Sequence, residues 1–308
     1  MIIDFHTHVF ESLECFPKQW IEETLKVMRY KMGEEAYEKA TSSFDSMGRV
    51  EELIKTMDEA GIEKSVALPL DYGIQCHEEP SISIWKANEY VAEAQRRYPD
   101  RVIGFVGVDP LRPDAVELLE TGVSQWGLKG VKVMPSTFQI TDISVQRFMA
   151  KINELEIPVL FHQGADPLPY ITKYGSPVDL DELTLYYPKM KIIAAHCSRG
   201  WERLLAAIAE WRRGIIYTDL SGLQTPYQKS TWWVILLLRH LMDLIPDSVL
   251  MGTDWPFMKT LTTKQWVDTI NNLEIPGAAL KLGMGIKDFT REEKNKILGE
   301  NARALLKL

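Results

Sequence analysis

Eight apolar runs alternate with eight helical stretches along this chain, and that rhythm constrains the fold more than any single motif. The runs lie at residues 2–5, 65–70, 102–108, 130–134, 158–162, 191–196, 215–219 and 248–254. Helical patterns follow them at 49–60, 82–97, 113–125, 144–155, 180–187, 201–212, 227–244 and 263–273. Strands that are apolar throughout suit a sheet covered on both faces. Alternating strand–helix units imply parallel pairing, and eight of them imply closure into an α/β fold of the (β/α)8 TIM barrel type. An open doubly wound sheet is the competing arrangement, but no Gly-rich phosphate turn follows the first run. A length of 308 residues fits one such barrel, so residues 1–308 are read as a single domain.

Two segments stand outside the rhythm. Residues 9–47 separate the first run from its helix and hold two helical patterns, one opened by Phe16-Pro17-Lys18-Gln19-Trp20 and one near residues 33–40. They are read as a helical cap inserted over the end of strand one, with a surface helix pair as the alternative. Residues 290–306 read as two short C-terminal helices packed on the outside of the barrel, and residues 71–80 as a polar loop.

A net charge of −8 argues against nucleic acid as the main partner, because phosphate binding needs a basic face. No apolar run approaches the roughly 20 residues needed to cross a bilayer. The start of the chain has neither a basic region nor a small-residue cleavage site, so no secretory leader is expected. Cys15, Cys76 and Cys197 are scattered and odd in number, which fits a reducing compartment. A cytoplasmic protein acting on a small molecule is the expectation.

The chemistry gathers at the ends of the runs. Asp4-Phe5-His6-Thr7-His8 closes the first, and side chains at i and i+2 of a strand share a face. His162 ends the fifth run, His196 the sixth and Asp254 the eighth. Four of the six histidines and one aspartate thus fall at the C-terminal mouth, where barrels of this kind carry their sites. His77 and His240 lie in a loop and a helix. Neutral imidazoles with one carboxylate suit a divalent metal, Zn²⁺ first, with Mn²⁺, Fe²⁺ or Co²⁺ as alternatives.

These residues, with Gly130-Val131-Lys132, Phe161-His162-Gln163-Gly164, Ala195-His196, Tyr217-Thr218-Asp219-Leu220-Ser221, Gly252-Thr253-Asp254-Trp255-Pro256-Phe257 and Ile297-Leu298-Gly299-Glu300-Asn301-Ala302-Arg303, resemble the amidohydrolase superfamily. The nearest branch is the amidohydrolase-2 group, which contains the aminocarboxymuconate-semialdehyde and resorcylate decarboxylases. The resemblance implies His6, His8, His162 and Asp254 as metal ligands, with one Zn²⁺ the leading choice. It makes His196 a further imidazole facing bound water or substrate oxygen, and Asp254 the proton acceptor and donor. A homodimer is the assembly it implies. Lys132 is either a carboxylated bridge between two metals or an unmodified amine facing the substrate; the decarboxylase members generally lack a lysine here.

Lys132, Arg199 and Trp255 are the candidate substrate contacts, with surface or packing roles as alternatives for the last two. Asp4 is read as orienting a ligand or as a satisfied buried carboxylate. Trp201 and Phe257 are read as pocket walls or packing residues, and Cys197 as a buried thiol. Asp219 and Ser221 are given hydrogen bonds within the mouth and no chemistry. Three functions compete: hydrolysis by metal-activated water, non-oxidative decarboxylation of an aromatic or muconate-like acid, and non-catalytic metal binding.

Overall fold

A computed structural model describes residues 1–41, 46–258, 260–277 and 285–308. Its strands are β1 (Ile3–Thr7), β2 (Lys64–Ala67), β3 (Val102–Gly104, resuming at Val106–Gly107), β4 (Val131–Val133), β5 (Pro158–Phe161), β6 (Lys191–Ala194), β7 (Ile216–Asp219) and β8 (Val249–Leu250). Each pairs in parallel with the next in sequence. The break in β3 falls at Phe105, whose amide still donates to Ala67 O at 3.0 Å. The ring closes where Phe5 N donates to Met251 O (2.8 Å) and Asp254 N donates to His6 O (2.8 Å). Helices lie between the strands, and the architecture is the α/β (β/α)8 barrel.

The strands carry two kinds of apolar residue, as the unbroken runs require. Ile3, Phe5, Val66, Leu68, Phe105, Leu160, Ile193 and Leu250 fill the barrel axis. Val131, Val133, Val159, Phe161, Ile192 and Ala194 pack in the larger cluster shared with the helices. Plain alternation from Ile3 and Phe5 would send His6 and His8 away from the axis. The register of β1 against β2 shifts between Asp4 and Thr7, and this irregularity turns both imidazoles to the mouth. The i, i+2 rule therefore pairs the two histidines, while the bulge decides where they point.

Four local expectations change. The C-terminal segment is not packed on the outside. It runs as Arg291–Asn295, Lys296–Glu300 and Asn301–Leu306, and Ala302 and Leu305 join the axial cluster. Asn301 Nδ2 donates to Pro246 O and Val249 O at 2.9 and 2.8 Å, so the segment plugs the barrel floor. A Cβ on Gly299 would come within 2.4 Å of Met1 O, so glycine allows the two ends of the chain to touch. The long helix after β7 breaks at Ser230 into Gln224–Lys229 and Thr231–Leu244.

The loop after β2 is buried more than its composition suggests. It holds a short helix, Gly73–Cys76, and Asp71, Tyr72, Gln75 and Cys76 are buried. Arg112 pins it, donating to both oxygens of Asp71 (2.6 and 2.8 Å) and of Glu79 (2.9 Å each). β8 is only two residues long, so Asp254 lies beyond it in a left-handed turn with φ of 57°.

The inserted cap forms two helices, α1 (Lys18–Met32) and α2 (Glu34–Thr41). Trp20 on α1 stacks on Phe16 (ring centroids 4.4 Å apart) and on Tyr72 (5.1 Å), and meets Phe257 edge-on at 5.6 Å. Aromatic pairs at such distances add to the area they bury, so the cap is held over the mouth by rings from three different segments. Among the described residues no helix is long and apolar enough to cross a membrane.

Candidate active site

Three side chains from the two ends of the chain converge at the mouth. His6 Nε2 lies 3.1 Å from His8 Nε2, and His8 Nε2 lies 3.0 Å from Asp254 Oδ1. His6 Nε2 is 3.7 Å from the same oxygen. All three residues are buried. The opposite ring nitrogens are fixed from behind. His8 Nδ1 donates to Leu68 O at 2.9 Å, and a carbonyl can only accept. His6 Nδ1 donates to Asp219 Oδ2 at 2.9 Å. Both Nε2 atoms therefore carry bare lone pairs aimed at each other and at a carboxylate. Three acceptors this close repel unless a cation lies among them, which is the arrangement a divalent metal needs.

A second hydrogen-bonded line fixes the other two histidines. Ser221 Oγ donates to Asp219 Oδ1 and accepts from His196 Nδ1 at 2.7 Å. That leaves His196 Nε2 as an acceptor for His162 Nδ1, 3.2 Å away. His162 Nε2 is then the bare nitrogen; it is buried without a hydrogen-bond partner, 3.5 Å from Asp166 Oδ2. The network thus assigns an unprotonated nitrogen to His6, His8 and His162. His6, His8 and Asp254 form one close group and His6, His196 and Asp219 another. His162 stands beside His196 instead of in the first group.

Charges follow the same design. Burial is the largest influence on three of the imidazoles: it lowers His8 to about 4 and His196 to about 3, and holds His162 well below its usual value. Neutral rings suit metal ligation. Burial alone would raise Asp254 and Asp219. The surrounding imidazoles of His8, His196 and His6 hold Asp254 below the carboxylate range instead, and His6 and Ser221 do so for Asp219.

Asp4 is raised to about 7, chiefly by burial. It accepts from His6 N, Thr253 N and Thr253 Oγ1, so it ties β1 to the turn before Asp254 and touches no imidazole ring. Cys197 is a buried thiol on Asp219 O (3.3 Å), pushed up by burial.

A cavity of about 320 Å³ opens above this floor. His8, His162, His196 and Asp254 form its base, and Trp20, Val27 and Met28 of the cap, with Tyr72 and Phe257, form its walls. Lys132 lies on the inner face of β4, level with Leu160. It lines the cavity, is 1% exposed and has no hydrogen-bond partner on Nζ. Burial lowers its amine to about 8, and Asp219, Asp254 and Asp166 limit the fall.

Arg199 also lines the cavity, its Nη2 donating to Asp166 Oδ1 at 3.1 Å. Trp255, expected to contact substrate, is buried with its carbonyl bonded to His8 N at 2.7 Å and is not among the lining residues; Phe257, two residues on, is. The turn that begins at left-handed Asp254 puts the second aromatic, not the first, against the cavity. Trp201 is likewise absent from the lining, and His77 is exposed.

Asp219 and Ser221 make hydrogen bonds within the mouth, as expected from the sequence, and Asp166 is the site residue that sequence reasoning missed. Asp219 sits on the inner face of β7 two places past Tyr217, a parity that marked it as mouth-facing.

A parallel barrel with a buried histidine and aspartate cluster at its C-terminal mouth defines the class of this protein. The chain belongs to the amidohydrolase family, whose sequence profile matches residues 3–308. No curated protein matches it by sequence. Among solved structures it is similar to dihydroxybenzoic acid decarboxylase from Polaromonas sp. JS666 with bound manganese and 2-nitroresorcinol, at 18% identity, 100% and 97% coverage of the two chains and a TM-score of 0.68. It is similar to 5-carboxyvanillate decarboxylase from Novosphingobium aromaticivorans with manganese and a nitrobenzoic acid, at 16% identity, 100% and 96% coverage and a TM-score of 0.68. An uncharacterised TIM-barrel protein from Bordetella bronchiseptica aligns at 18% identity, 99% and 98% coverage and a TM-score of 0.67.

Proposed function

We propose that this amidohydrolase-family protein is a metal-dependent decarboxylase of a small aromatic acid. The observation that carries the reading is the cavity, whose ring-lined walls (Trp20, Tyr72, Phe257) stand directly on a floor of bare imidazole nitrogens and a carboxylate. The decarboxylases named above, similar over nearly their whole length, support it.

His6, His8 and Asp254, with His162 beside them, would hold one divalent ion, Mn²⁺ or Zn²⁺, which when bound fixes and neutralises substrate oxygens. The chain's own residues do the rest. Asp219 and Leu68 O keep the protons of His6 and His8 on Nδ1. The aromatic walls exclude water and align the ring. Asp254, ionised in the free site, takes up a proton from solvent as the substrate carboxylate enters and delivers it to the ring carbon. The carbon–carboxyl bond breaks, its electron pair returns to the ring, and CO₂ leaves. His196, neutral and held by Ser221, faces the substrate oxygens from the side.

Hydrolysis is the second reading, favoured by Asp254 beside His8 at 3.0 Å, a base placed to take a proton from water. The discriminating experiment supplies the Mn²⁺- or Zn²⁺-loaded protein with hydroxybenzoic acids and with a panel of esters, lactones and amides. Release of CO₂ with the panel intact supports the decarboxylase; cleavage of the panel without CO₂ overturns it in favour of the hydrolase. Chelation of the metal is expected to abolish either activity, and turnover that survives chelation would remove the metal from both readings.

A further inference from the structure

We propose that Lys132 selects the charge of the ligand, its buried ammonium pairing with a carboxylate on a ring seated between Trp20, Tyr72 and Phe257. This deepens the reading above and rests on that cavity being the substrate site.

A lysine is rarely buried without a partner, because removing an ammonium from water is costly unless a counter-charge or hydrogen bonds replace the lost solvation. Lys132 is among the largest fully buried side chains, and Nζ has no hydrogen bond. The carboxylates in electrostatic reach have other places: Asp166 pairs with Arg199 (3.1 Å), Asp219 with His6 (2.9 Å), and Asp254 belongs to the close group with His6 and His8. A second donor on the same cavity, Arg199 Nε, is also buried and unpartnered. Lys132 Nζ and Arg199 Nε, two donor atoms on cationic side chains of one cavity, lack an acceptor, and a carboxylate, with two oxygens and a negative charge, is the simplest group that answers both. The flat walls and Leu70 and Met134 supply the apolar contact for a ring. A lysine that served only the fold would have found a carbonyl or carboxylate within the protein, as Lys64 does with Asp100 O at 2.7 Å.

The test compares binding of benzoate and of benzamide, its neutral analogue of nearly the same shape, to the metal-loaded wild type and to Lys132→Met, by titration calorimetry. Benzoate is expected to lose about tenfold or more in affinity in the variant, the size of a charge-assisted contact, while benzamide changes by less than about twofold. An unchanged benzoate affinity, equal losses for both probes, or no benzoate binding to the wild type would overturn the proposal. Should Lys132→Met fail to fold, reductive methylation of the wild type reads the same contact. Benzoate is expected to slow modification of Lys132, mapped by mass spectrometry, and benzamide is not; no protection by benzoate would overturn it. Binding is read without turnover. Benzoate selectivity that depends on Lys132, in a protein that releases no CO₂, would remove the decarboxylase reading and leave the anion site in place.

Discussion

His6 Nδ1 lies 2.9 Å from Asp219 Oδ2, although 213 residues separate them, and both side chains are wholly buried. The contact decides which nitrogen of His6 carries the proton, and so whether Nε2 faces His8 and Asp254 with a lone pair. Asp219→Asn can offer an amide N–H to Nδ1 and move the ring proton to Nε2. Metal affinity is expected to fall about 10- to 100-fold, as for other partners that orient a ligand from behind. Titration calorimetry with Mn²⁺ and Zn²⁺ measures it, and an unaltered affinity would show that Asp219 does not set the tautomer.

Ser221 links the same carboxylate to His196 and through it to His162. Ser221→Ala is expected to weaken metal binding severalfold and to add little in an Asp219→Asn background, because both changes cut one chain of hydrogen bonds. The double-mutant cycle decides this: fully additive losses would mean that the serine acts apart from the aspartate.

Asp109 carries a pH dependence of stability away from the site. Burial, the largest cause, lifts its carboxyl from 3.8 to about 7; Asp71 adds to the shift, and the Leu111 amide and Arg112 oppose it. The folded protein thus keeps a proton that the unfolded chain has already released. Between pH ~4 and pH ~7 the native state binds more protons, so stability falls as pH rises through that window and levels off above it. The shift corresponds to at most about 4 kcal/mol. Asp109→Asn removes the titration, and its melting temperature is expected to exceed that of the wild type at pH 8 while the two converge only as the pH falls to about 4 and below. A wild type that melts at the same temperature as the variant at pH 8 would contradict this.

Trp20 joins the cap to the barrel mouth. Trp20→Ala removes its stacking on Phe16 and Tyr72 and opens one wall of the cavity. A loss of about 3 kcal/mol of stability is expected, at the low end for a buried aromatic. With an active substrate, KM should rise more than kcat falls, since the ring binds and does not react. Steady-state kinetics and denaturant unfolding check both, and a fall in kcat at constant KM would give the cap a different role.

Much of the barrel was legible because its signal is local. Each apolar run needed only its own composition, and each helix only its own period. The ends were less legible. One continuous pattern over 227–244 hides the break at Ser230, and the apolar residues of 291–306 look alike whether they cover a barrel wall or plug its floor. That choice depends on Ile3, Phe5 and Leu250, which are distant in sequence. Trp255 and Phe257 differ in role through the turn that begins at Asp254, whose φ of 57° no residue pattern announces.

By itself the sequence determined the eight alternating units, the family, and the presence of His6, His8, His162, His196 and Asp254 at strand ends, since periodicity and residue type are properties of short stretches. Only the tertiary structure decided how they act. The shift in β1 turned His6 and His8 inward, Asp219 and Ser221 placed the ring protons, and the cap laid Trp20 over the floor. Lys132 was left buried and unpaired among carboxylates already engaged. Tautomer, burial and pairing arise from groups hundreds of residues apart, and they exist only once the barrel has closed.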